Sequence, residues 1–274
     1  MALRNSHINV SSFFYVCRAR TKLCYNQCGD FVRIKMNSRN YIELDLLDNV
    51  QRDLVLILPG GGYTVTSPRE SKPVAQVFHN AGFHTAIYYY RETLLMYPQV
   101  KEEGYEALKS LQKNKMVKRI FLIGFSAGGH LAAMLMTSYY QFVQGTILAY
   151  PVISTHPLYK YKELENKLLG NQQTPEKIKE ISMEQQVHER VSPVFIMHTL
   201  DDATVPVENS LFLIDALKKN HVLVESHLYP TGRHGVSIAT REVTFSDMDP
   251  LVYVEKYSYL SNWINLAIQF LERI

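Results

Sequence analysis

The chain has 274 residues, of which 46% are apolar and 20% charged, and its net charge is +3. This is enough apolar material for one sizeable core, so we expect a single domain spanning residues 1–274. The balance is only mildly basic, with no long run of Lys or Arg. This excludes the clustered basic footprint that is typical of nucleic-acid-binding proteins.

The first 30 residues hold all three cysteines, Cys17, Cys24 and Cys28. An odd number without regular pairing argues against a disulfide framework, and the spacing lacks the C-x-x-C knuckle of a zinc site. We therefore expect free thiols, as in a reducing compartment, and no metal. The apolar patch from Val10 to Cys17 is too short and too polar to span a membrane, and no clear cleavage site follows it. A cytoplasmic protein without membrane contact is predicted.

Short apolar runs alternate with amphipathic stretches along the rest of the chain. Two period-two runs, FVRIKMN and YIELDLL, predict an antiparallel hairpin at a sheet edge. Denser runs predict buried strands: DLVLILPGG, HTAIYYY, RIFLIGF, GTILAYPVI, SPVFIMH and VESHLYP. Helices are predicted for Ser71–Ala81, QVKEEGYEALKSLQK, GGHLAAMLMTSYY, PVENSLFLIDALKKN and YSYLSNWINLAIQFLERI. This order predicts an α/β fold whose mostly parallel sheet has helices on both faces and chemistry at the carboxyl ends of its strands.

The segment 155–190 is the longest interruption of this alternation. It is rich in Lys, Glu and Gln and contains too little apolar material for a core of its own. We interpret it as a small, cap-like insertion, part of it helical, that covers a site at the strand ends.

Ser126 lies in GFSAG, which fits the pattern G-x-S-x-G between a predicted strand and a predicted helix. A serine at such a sharp turn has a strained backbone and needs small neighbours. Its Oγ would lie at a helix amino terminus, where N–H groups favour developing negative charge. The pattern predicts a nucleophile; the alternative is a tight packing turn, because five-residue patterns recur by chance.

Three glycines directly follow the strand in LPGGGYT. Glycine lets the backbone turn its N–H groups toward a ligand without a Cβ in the way. The stretch predicts an oxyanion hole in which Gly61 and Gly62 join the N–H of Ala127. A flexible turn is the alternative, whereas the phosphate-binding patterns G-x-x-x-x-G-K-[ST] and G-x-G-x-x-G are absent here.

A carboxylate and a histidine follow the last two predicted strands. HTLDDATVPVENS offers Asp201 and Asp202, of which only one should face the site because neighbouring residues in an extended segment point in opposite directions. YPTGRHGVS places His234 on a glycine-flanked loop. The chain order Ser, Asp, His is that of the α/β-hydrolase triad. The alternatives are solvated turn acids and an exposed histidine. We expect His130 to pack in its helix and His198 to support the site.

At these residues the chain resembles the α/β-hydrolase superfamily, and more narrowly its bacterial lipase/esterase branch, including acetyl-xylan esterases and hormone-sensitive-lipase-like esterases. The similar stretches, spread over about two thirds of the chain, are LPGGGY, GFSAGGHLAA, YPVIS, HTLDDATVPVENS and TGRHG. The resemblance implies that Asp202, in the order D-x-x-V-P, is the catalytic carboxylate. It also implies oxyanion donors at Gly61, Gly62 and Ala127. Pro59 departs from the histidine that hormone-sensitive-lipase-like proteins carry before the glycines.

The prediction is a serine carboxylesterase without cofactor that cleaves small short-acyl esters through Ser126, His234 and Asp202. The resemblance favours acetyl groups, including those on sugars or oligosaccharides, and Tyr63 is expected to line the substrate pocket. A formamidase or other amidase with the same triad remains an alternative, and a non-catalytic binding protein on a hydrolase scaffold is a weaker one. The sequence leaves a homodimer open.

Overall fold

The computed structural model describes residues 32–161 and 163–274. The predictions for the cysteines and for the apolar patch near the amino terminus lie outside the described residues. Within this part of the chain, the strands are β1 Val32–Lys35, β2 Tyr41–Asp45, β3 Arg52–Leu58, β4 His84–Tyr89, β5 Val117–Phe125, β6 Gly145–Ala149, β7 Val194–Thr199 and β8 Val224–Tyr229.

The helices alternate with these strands, as the sequence pattern predicts. They are α1 Lys72–Asn80, α2 Gln99–Gln112, α3 Ala127–Ser138, α4 Leu164–Leu169, α5 Pro175–Glu180, α6 Glu208–Lys219, α7 Pro250–Tyr257 and α8 Trp263–Arg273. Single turns of 3-10 helix occur at Pro68–Glu70, Tyr140–Phe142, Met183–Gln185, Arg241–Val243 and Ser258–Leu260. None of the helices in the described ranges is long and apolar enough to cross a membrane.

The strands form one eight-stranded sheet in the order β1-β2-β4-β3-β5-β6-β7-β8. β1 and β2 are the predicted antiparallel hairpin at one edge, and β2 is also antiparallel to β4. All other neighbours are parallel. The carboxyl ends of β3, β5, β6, β7 and β8 therefore meet at the same edge of the sheet, where an open α/β sheet places its ligand site.

Both faces of the sheet are covered, because successive side chains of a strand point to opposite sides. On β3, Leu54, Leu56 and Leu58 face one cluster, and Val55 and Ile57 face the other. The first cluster packs against α2, α3 and α6; the second packs against α1, α7 and α8. The two-sided burial explains why β3 and β5 read as continuous apolar runs in the sequence.

The insertion packs on the same face as α2 and α3. Its apolar residues Leu164, Leu168 and Ile181 are fully buried and belong to the first core cluster. These residues of the insertion are thus part of the main core.

The carboxyl-terminal region differs from the prediction of one helix over YSYLSNWINLAIQFLERI. Its first residue, Tyr257, ends α7, Ser258–Leu260 form a 3-10 turn, and α8 begins only at Trp263. The separate helix α7 was not predicted. Its N-cap is Asp249, whose carboxylate accepts hydrogen bonds from the N–H groups of Leu251 and Val252, and Pro250 is in the first turn. An Asp cap followed by Pro is a recognisable start signal.

Candidate active site

Ser126 stands alone between the end of β5 and the start of α3. Its φ of 52° and ψ of −118° lie in a region that L-residues rarely adopt, and such a conformation persists only where surrounding contacts impose it. The Ser126 N–H donates to the Ala149 carbonyl at 3.0 Å. The Ser126 carbonyl accepts from the N–H groups of His130 and Val152, both at 3.1 Å. The strained turn expected of a nucleophilic serine is therefore present.

The glycines around Ser126 are required by close packing. A Cβ added at Gly128 would lie 2.0 Å from the Leu58 carbonyl oxygen, and one at Gly124 would lie 2.5 Å from the Gly128 oxygen. Neither oxygen is part of a flexible side chain, so the clash cannot be relieved by a rotamer change. Leu58 and Pro59 thus lie against the first turn of α3, where the glycine loop, residues 59–64, begins.

His234 lies on the loop that follows β8 and connects the nucleophile to a carboxylate. Its Nδ1 donates to Oδ2 of Asp202 at 2.6 Å, which leaves Nε2 unprotonated in the neutral ring. Nε2 then accepts from the Ser126 hydroxyl at 2.8 Å. This is the hydrogen-bond order that a serine triad needs, with the histidine placed as the base.

Asp202 and Asp201 face different ways, although they lie in a turn closed by the Asp202 N–H and the Thr199 carbonyl and not in the extended segment that was expected. Asp202 is 6% exposed, and its Oδ1 accepts from the N–H groups of Thr204 and Val205, both at 2.9 Å. Asp201 instead accepts from the N–H of Gly232 at 2.7 Å, at the start of the histidine loop. The structure thus brings Asp202, not Asp201, to His234.

Burial and hydrogen bonding shift the pKa of the Asp202 carboxyl in opposite directions. Burial by itself raises its pKa, but the hydrogen bonds from His198, from His234 and from the Val205 N–H hold that pKa well below its usual range. An ionised carboxylate at this position can stabilise the histidinium that forms when His234 accepts a proton.

His198 supports Asp202 from the core. It is fully buried, and its Nδ1 lies 2.8 Å from the Ser210 hydroxyl. Its Nε2 donates to the Val205 carbonyl at 3.0 Å and lies 3.4 Å from Asp202 Oδ2. This histidine fixes both the carboxylate and the turn that follows it, which is the supporting position predicted from the sequence.

The glycine loop lies directly beside the nucleophile. A Cβ added at Gly60 would come within 3.1 Å of the Ser126 Cβ. Gly61 and Gly62 have φ values of 129° and 61°, which are available to glycine. Among the described residues, none accepts a hydrogen bond from the N–H of Gly61, Gly62 or Ala127. Their assignment as oxyanion donors stays a prediction.

Comparison with known proteins supplies the family. The profile of the prolyl oligopeptidase family matches residues 99–257, more than half of the chain, including Ser126, Asp202 and His234. The chain belongs to the prolyl oligopeptidase family. A sugar hydrolase from Lactococcus lactis has a similar structure, with a TM-score of 0.78 and 31% sequence identity over 89% of this chain and 98% of that one. The predicted α/β-hydrolase fold is confirmed.

Two curated relatives are similar over 71% of this member of the prolyl oligopeptidase family. One is an endo-1,4-beta-xylanase B from Butyrivibrio fibrisolvens, 31% identical over 217 residues. The other is an acetylxylan esterase from Xylanibacter ruminicola, 27% identical over 208 residues. The chain spans only 34% and 43% of the lengths of these relatives. An acetylxylan esterase is thus among the relatives, which confirms the resemblance predicted from the sequence motifs.

Tyr63, which directly follows the three glycines, is buried and hydrogen-bonded to α3. Its side chain is 1% exposed, and its hydroxyl donates to His130 Nδ1 at 2.8 Å. His130 in turn donates from Nε2 to the Ile181 carbonyl at 2.8 Å. Through the bond to His130, the buried Tyr63 ring ties the glycine loop to α3 and the insertion, and its predicted place in a substrate pocket stays a prediction.

Tyr161, in the insertion, lies beside Gly62 of the glycine loop. Its hydroxyl lies 2.8 Å from the point that a Cβ on Gly62 would occupy. The sequence reasoning did not single out this residue; the signal available was the aromatic cluster LYKY in an otherwise polar insertion. The insertion therefore reaches the predicted oxyanion loop at Gly62.

Across residues 32–161 and 163–274, no three His, Cys, Asp or Glu side chains are grouped as a metal site would require.

Proposed function

We propose that this protein is a carboxylesterase that removes short acyl groups, acetyl first among them, from sugars or oligosaccharides. The observation that carries the proposal is the continuous hydrogen-bonded chain from Ser126 through His234 to Asp202, with contacts of 2.8 and 2.6 Å, beside a glycine loop. This arrangement suits acyl transfer to serine.

Each step of the reaction follows from these contacts. Ser126 Oγ attacks the ester carbonyl while its proton passes to His234 Nε2, and Asp202 stabilises the histidinium. The collapsing tetrahedral intermediate expels the alcohol oxygen, which takes that proton, and an acyl-enzyme remains. Water then attacks the acyl carbonyl and gives a proton to Nε2, and Ser126 recovers it when the acid departs. The N–H groups of Gly61, Gly62 and Ala127 would hold the oxyanion in both halves.

Substrate size and class rest on two further observations. Tyr161 lies over Gly62, so the insertion narrows the space beside the predicted oxyanion donors, which favours a small acyl group. The relatives include an acetylxylan esterase and a sugar hydrolase, which supports an acetylated carbohydrate as the alcohol side. The predicted cytoplasmic location favours small acetylated oligosaccharides over an insoluble polymer; it stays a prediction.

Amide hydrolysis is the second candidate. Membership in the prolyl oligopeptidase family favours it, since the family takes its name from an oligopeptidase. The same triad serves both bonds, with the amine leaving group protonated from His234 in place of the alcohol.

The first prediction concerns Ser126. Purified protein should hydrolyse p-nitrophenyl acetate faster than the butyrate and octanoate esters, and Ser126→Ala should lower kcat by at least about 10³-fold because the nucleophile is lost. Release of p-nitrophenol is the measurement, followed by release of acetate from acetylated xylo-oligosaccharides. Formanilide and amino-acid p-nitroanilides serve as the amide substrates.

Ser192→Ala is the matched control. Its hydroxyl is buried without a hydrogen-bond partner among the described residues, and it precedes the amino end of β7, at the opposite edge of the sheet. This variant should keep wild-type turnover. Turnover of the amides alone would replace the esterase proposal by the amidase, and no turnover of any substrate by folded wild type would exclude both.

A further inference from the structure

Glu70 is a buried acid that the triad does not use. It ends the short 3-10 turn Pro68–Glu70 after the glycine loop and is 3% exposed. Its two carboxyl oxygens serve different parts of the site. Oε2 accepts from the Gly60 N–H at 2.8 Å, and Oε1 accepts from the Tyr150 hydroxyl at 2.6 Å. Burying a carboxyl group is unfavourable unless it is hydrogen-bonded, so losing either bond would leave a buried oxygen without a partner.

The Gly60 contact anchors the glycine loop. Gly60 directly precedes the predicted oxyanion donors Gly61 and Gly62 and packs against Ser126, as the 3.1 Å approach of an added Cβ indicates. The Gly60 carbonyl also accepts from the Ser67 N–H at 2.9 Å, which closes the turn leading to Glu70. The Glu70 carboxyl thereby sets where the oxyanion donors begin.

The Tyr150 contact anchors the histidine loop. The Tyr150 ring is 1% exposed and lies edge-on to the His234 ring, with 5.1 Å between centroids. Its hydroxyl accepts from the N–H of Ser237, three residues after His234, at 2.9 Å. Burial, reinforced by Glu70, raises the pKa of Tyr150 well above its ordinary value, so the hydroxyl keeps the proton that it donates to Glu70.

Arg69, the neighbour of Glu70, donates hydrogen bonds to the segment that follows His234. It donates to the Gly235 carbonyl from Nη2 and to the Val243 carbonyl from Nε, each at 2.7 Å. The Arg69 carbonyl accepts from the Ser237 hydroxyl at 2.8 Å. Two consecutive residues therefore connect the glycine loop with the loop that carries His234.

We propose that Glu70 is a positioning residue for the hydrolysis. Its carboxyl holds Gly60 on one side and, through Tyr150, the His234 loop on the other, so that oxyanion donors and His234 Nε2 are aligned with Ser126 at the same time. Small displacements of reacting groups have large effects on rate, about 10²-fold for 1 Å. The inference rests on the proposed acyl transfer at Ser126.

Glu70→Gln and Tyr150→Phe test this role with p-nitrophenyl acetate. Gln keeps the shape of Glu and can still accept from Gly60, but it presents an NH₂ group to Tyr150. We expect kcat to fall by about 30- to 100-fold in Glu70→Gln, with KM changed less than about 3-fold, and the affinity for phenylboronic acid, which forms a tetrahedral adduct on serine, to fall by a similar factor. Because both residues act as one unit, the double variant should be no slower than Glu70→Gln alone.

Glu103→Gln is the matched control. Glu103 is also buried, at 9% exposure, and accepts from the Tyr88 hydroxyl at 2.8 Å and from the Asn40 amide at 2.6 Å, away from the triad. It should lower the melting temperature with kcat unchanged. Equal loss of kcat in Glu70→Gln and Glu103→Gln, or a lower kcat with unchanged boronate affinity, would assign Glu70 to folding alone.

Two further measurements apply if Glu70→Gln does not fold or if the wild type hydrolyses no ester. If Glu70→Gln does not fold, Tyr150→Phe, which leaves the Glu70–Gly60 bond intact, should still lower kcat with little change in KM; wild-type kcat there would overturn the inference. If wild type hydrolyses no ester, the proposed function fails separately. The rate at which a fluorophosphonate labels Ser126, followed by mass spectrometry, should then still be at least about 10-fold lower in Glu70→Gln, and equal labelling would reject the positioning role.

Discussion

Asp201 and Asp202 are adjacent in the chain, yet they contact different parts of the site. Asp202 bonds the triad histidine at 2.6 Å and two backbone N–H groups, whereas Asp201 bonds the N–H of Gly232. The hydrogen-bond network around Asp202 lowers its pKa, which keeps it ionised throughout the neutral range. Substitutions at the two positions therefore test whether the direction in which each carboxylate points decides its role.

The second prediction compares these two acids. Asp202→Asn should lower kcat by about 10⁴-fold, because an amide nitrogen facing His234 favours the wrong tautomer and no longer stabilises the histidinium. Asp201→Asn should lower it less than about 10-fold, since an amide oxygen can still accept from Gly232. Steady-state kinetics at neutral pH is the measurement. A larger loss in Asp201→Asn than in Asp202→Asn would reverse the assignment.

Where β5 ends and α3 begins, a strained backbone at Ser126 and close packing at Gly128 occur together. The positive φ of Ser126 needs a turn without bulky neighbours, and α3 can approach β3 only because Gly128 has no Cβ. Every residue of α3 from Ala127 to Thr137 is buried, so the helix cannot shift outward to relieve a clash. Nucleophile geometry and core packing therefore depend on the same glycines.

The third prediction is that Gly128→Ala destabilises the protein by about 3 kcal/mol or more, because the added Cβ meets backbone oxygens and overpacks the core. Gly82→Ala is the control. It has nothing within 4 Å of the added Cβ, and only its φ of 93° carries strain, so about 1–2 kcal/mol is expected. Urea unfolding measures both. Similar losses in the two variants would show that backbone strain, not the close approach to β3, sets the need for glycine.

At the scale of the whole molecule, His130 joins three segments that are far apart in sequence. It accepts from Tyr63 of the glycine loop, donates to Ile181 of the insertion, and is itself part of α3. The ring is fully buried, and this burial lowers the pKa of His130 to about 4. A neutral His130 is therefore part of what holds the insertion against α3 and the glycine loop.

The fourth prediction is a pH dependence of stability. The unfolded chain binds a proton at His130 with a pKa near 6.5, about 2.5 units above the folded value. The stability that a neutral His130 contributes is full above about pH 6.5 and is lost as the pH falls toward 4, by roughly 2–3 kcal/mol. Urea unfolding at pH 7, 5.5 and 4.5 measures this loss.

His130→Gln isolates the effect. Burial also lowers the pKa of His84, but this group is the same in both proteins. The variant should be less stable at pH 7 and should lose less stability between pH 7 and 4.5 than the wild type. Equal losses in the two proteins would mean that His130 does not titrate in this window.

Much of the fold could be predicted because its signals are local. Continuous apolar runs mark β3 and β5, which are buried on both faces, and period-two runs mark the edge hairpin. Strand ends and the chain order Ser, Asp, His then indicate the triad, since parallel strands end at the same edge. The missed helix α7 and the late start of α8 had only short cap signals, Asp249 and Pro250, in a segment without strong periodicity.

The sequence by itself therefore determined the alternation of strands and helices, the strained serine turn, and the candidates for each triad position. Residue patterns left Asp201 and Asp202 open, the resemblance pointed to Asp202, and the tertiary structure shows that Asp202 faces His234. Tertiary structure alone decided that Tyr63 turns into the core and that Tyr161 reaches Gly62. It also decided the Glu70 contacts, in which partners lie 80 residues apart for Tyr150 and 10 for Gly60. Backbone conformation and apolar period depend on neighbours in the chain, whereas the direction of a side chain depends on which distant segments pack around it.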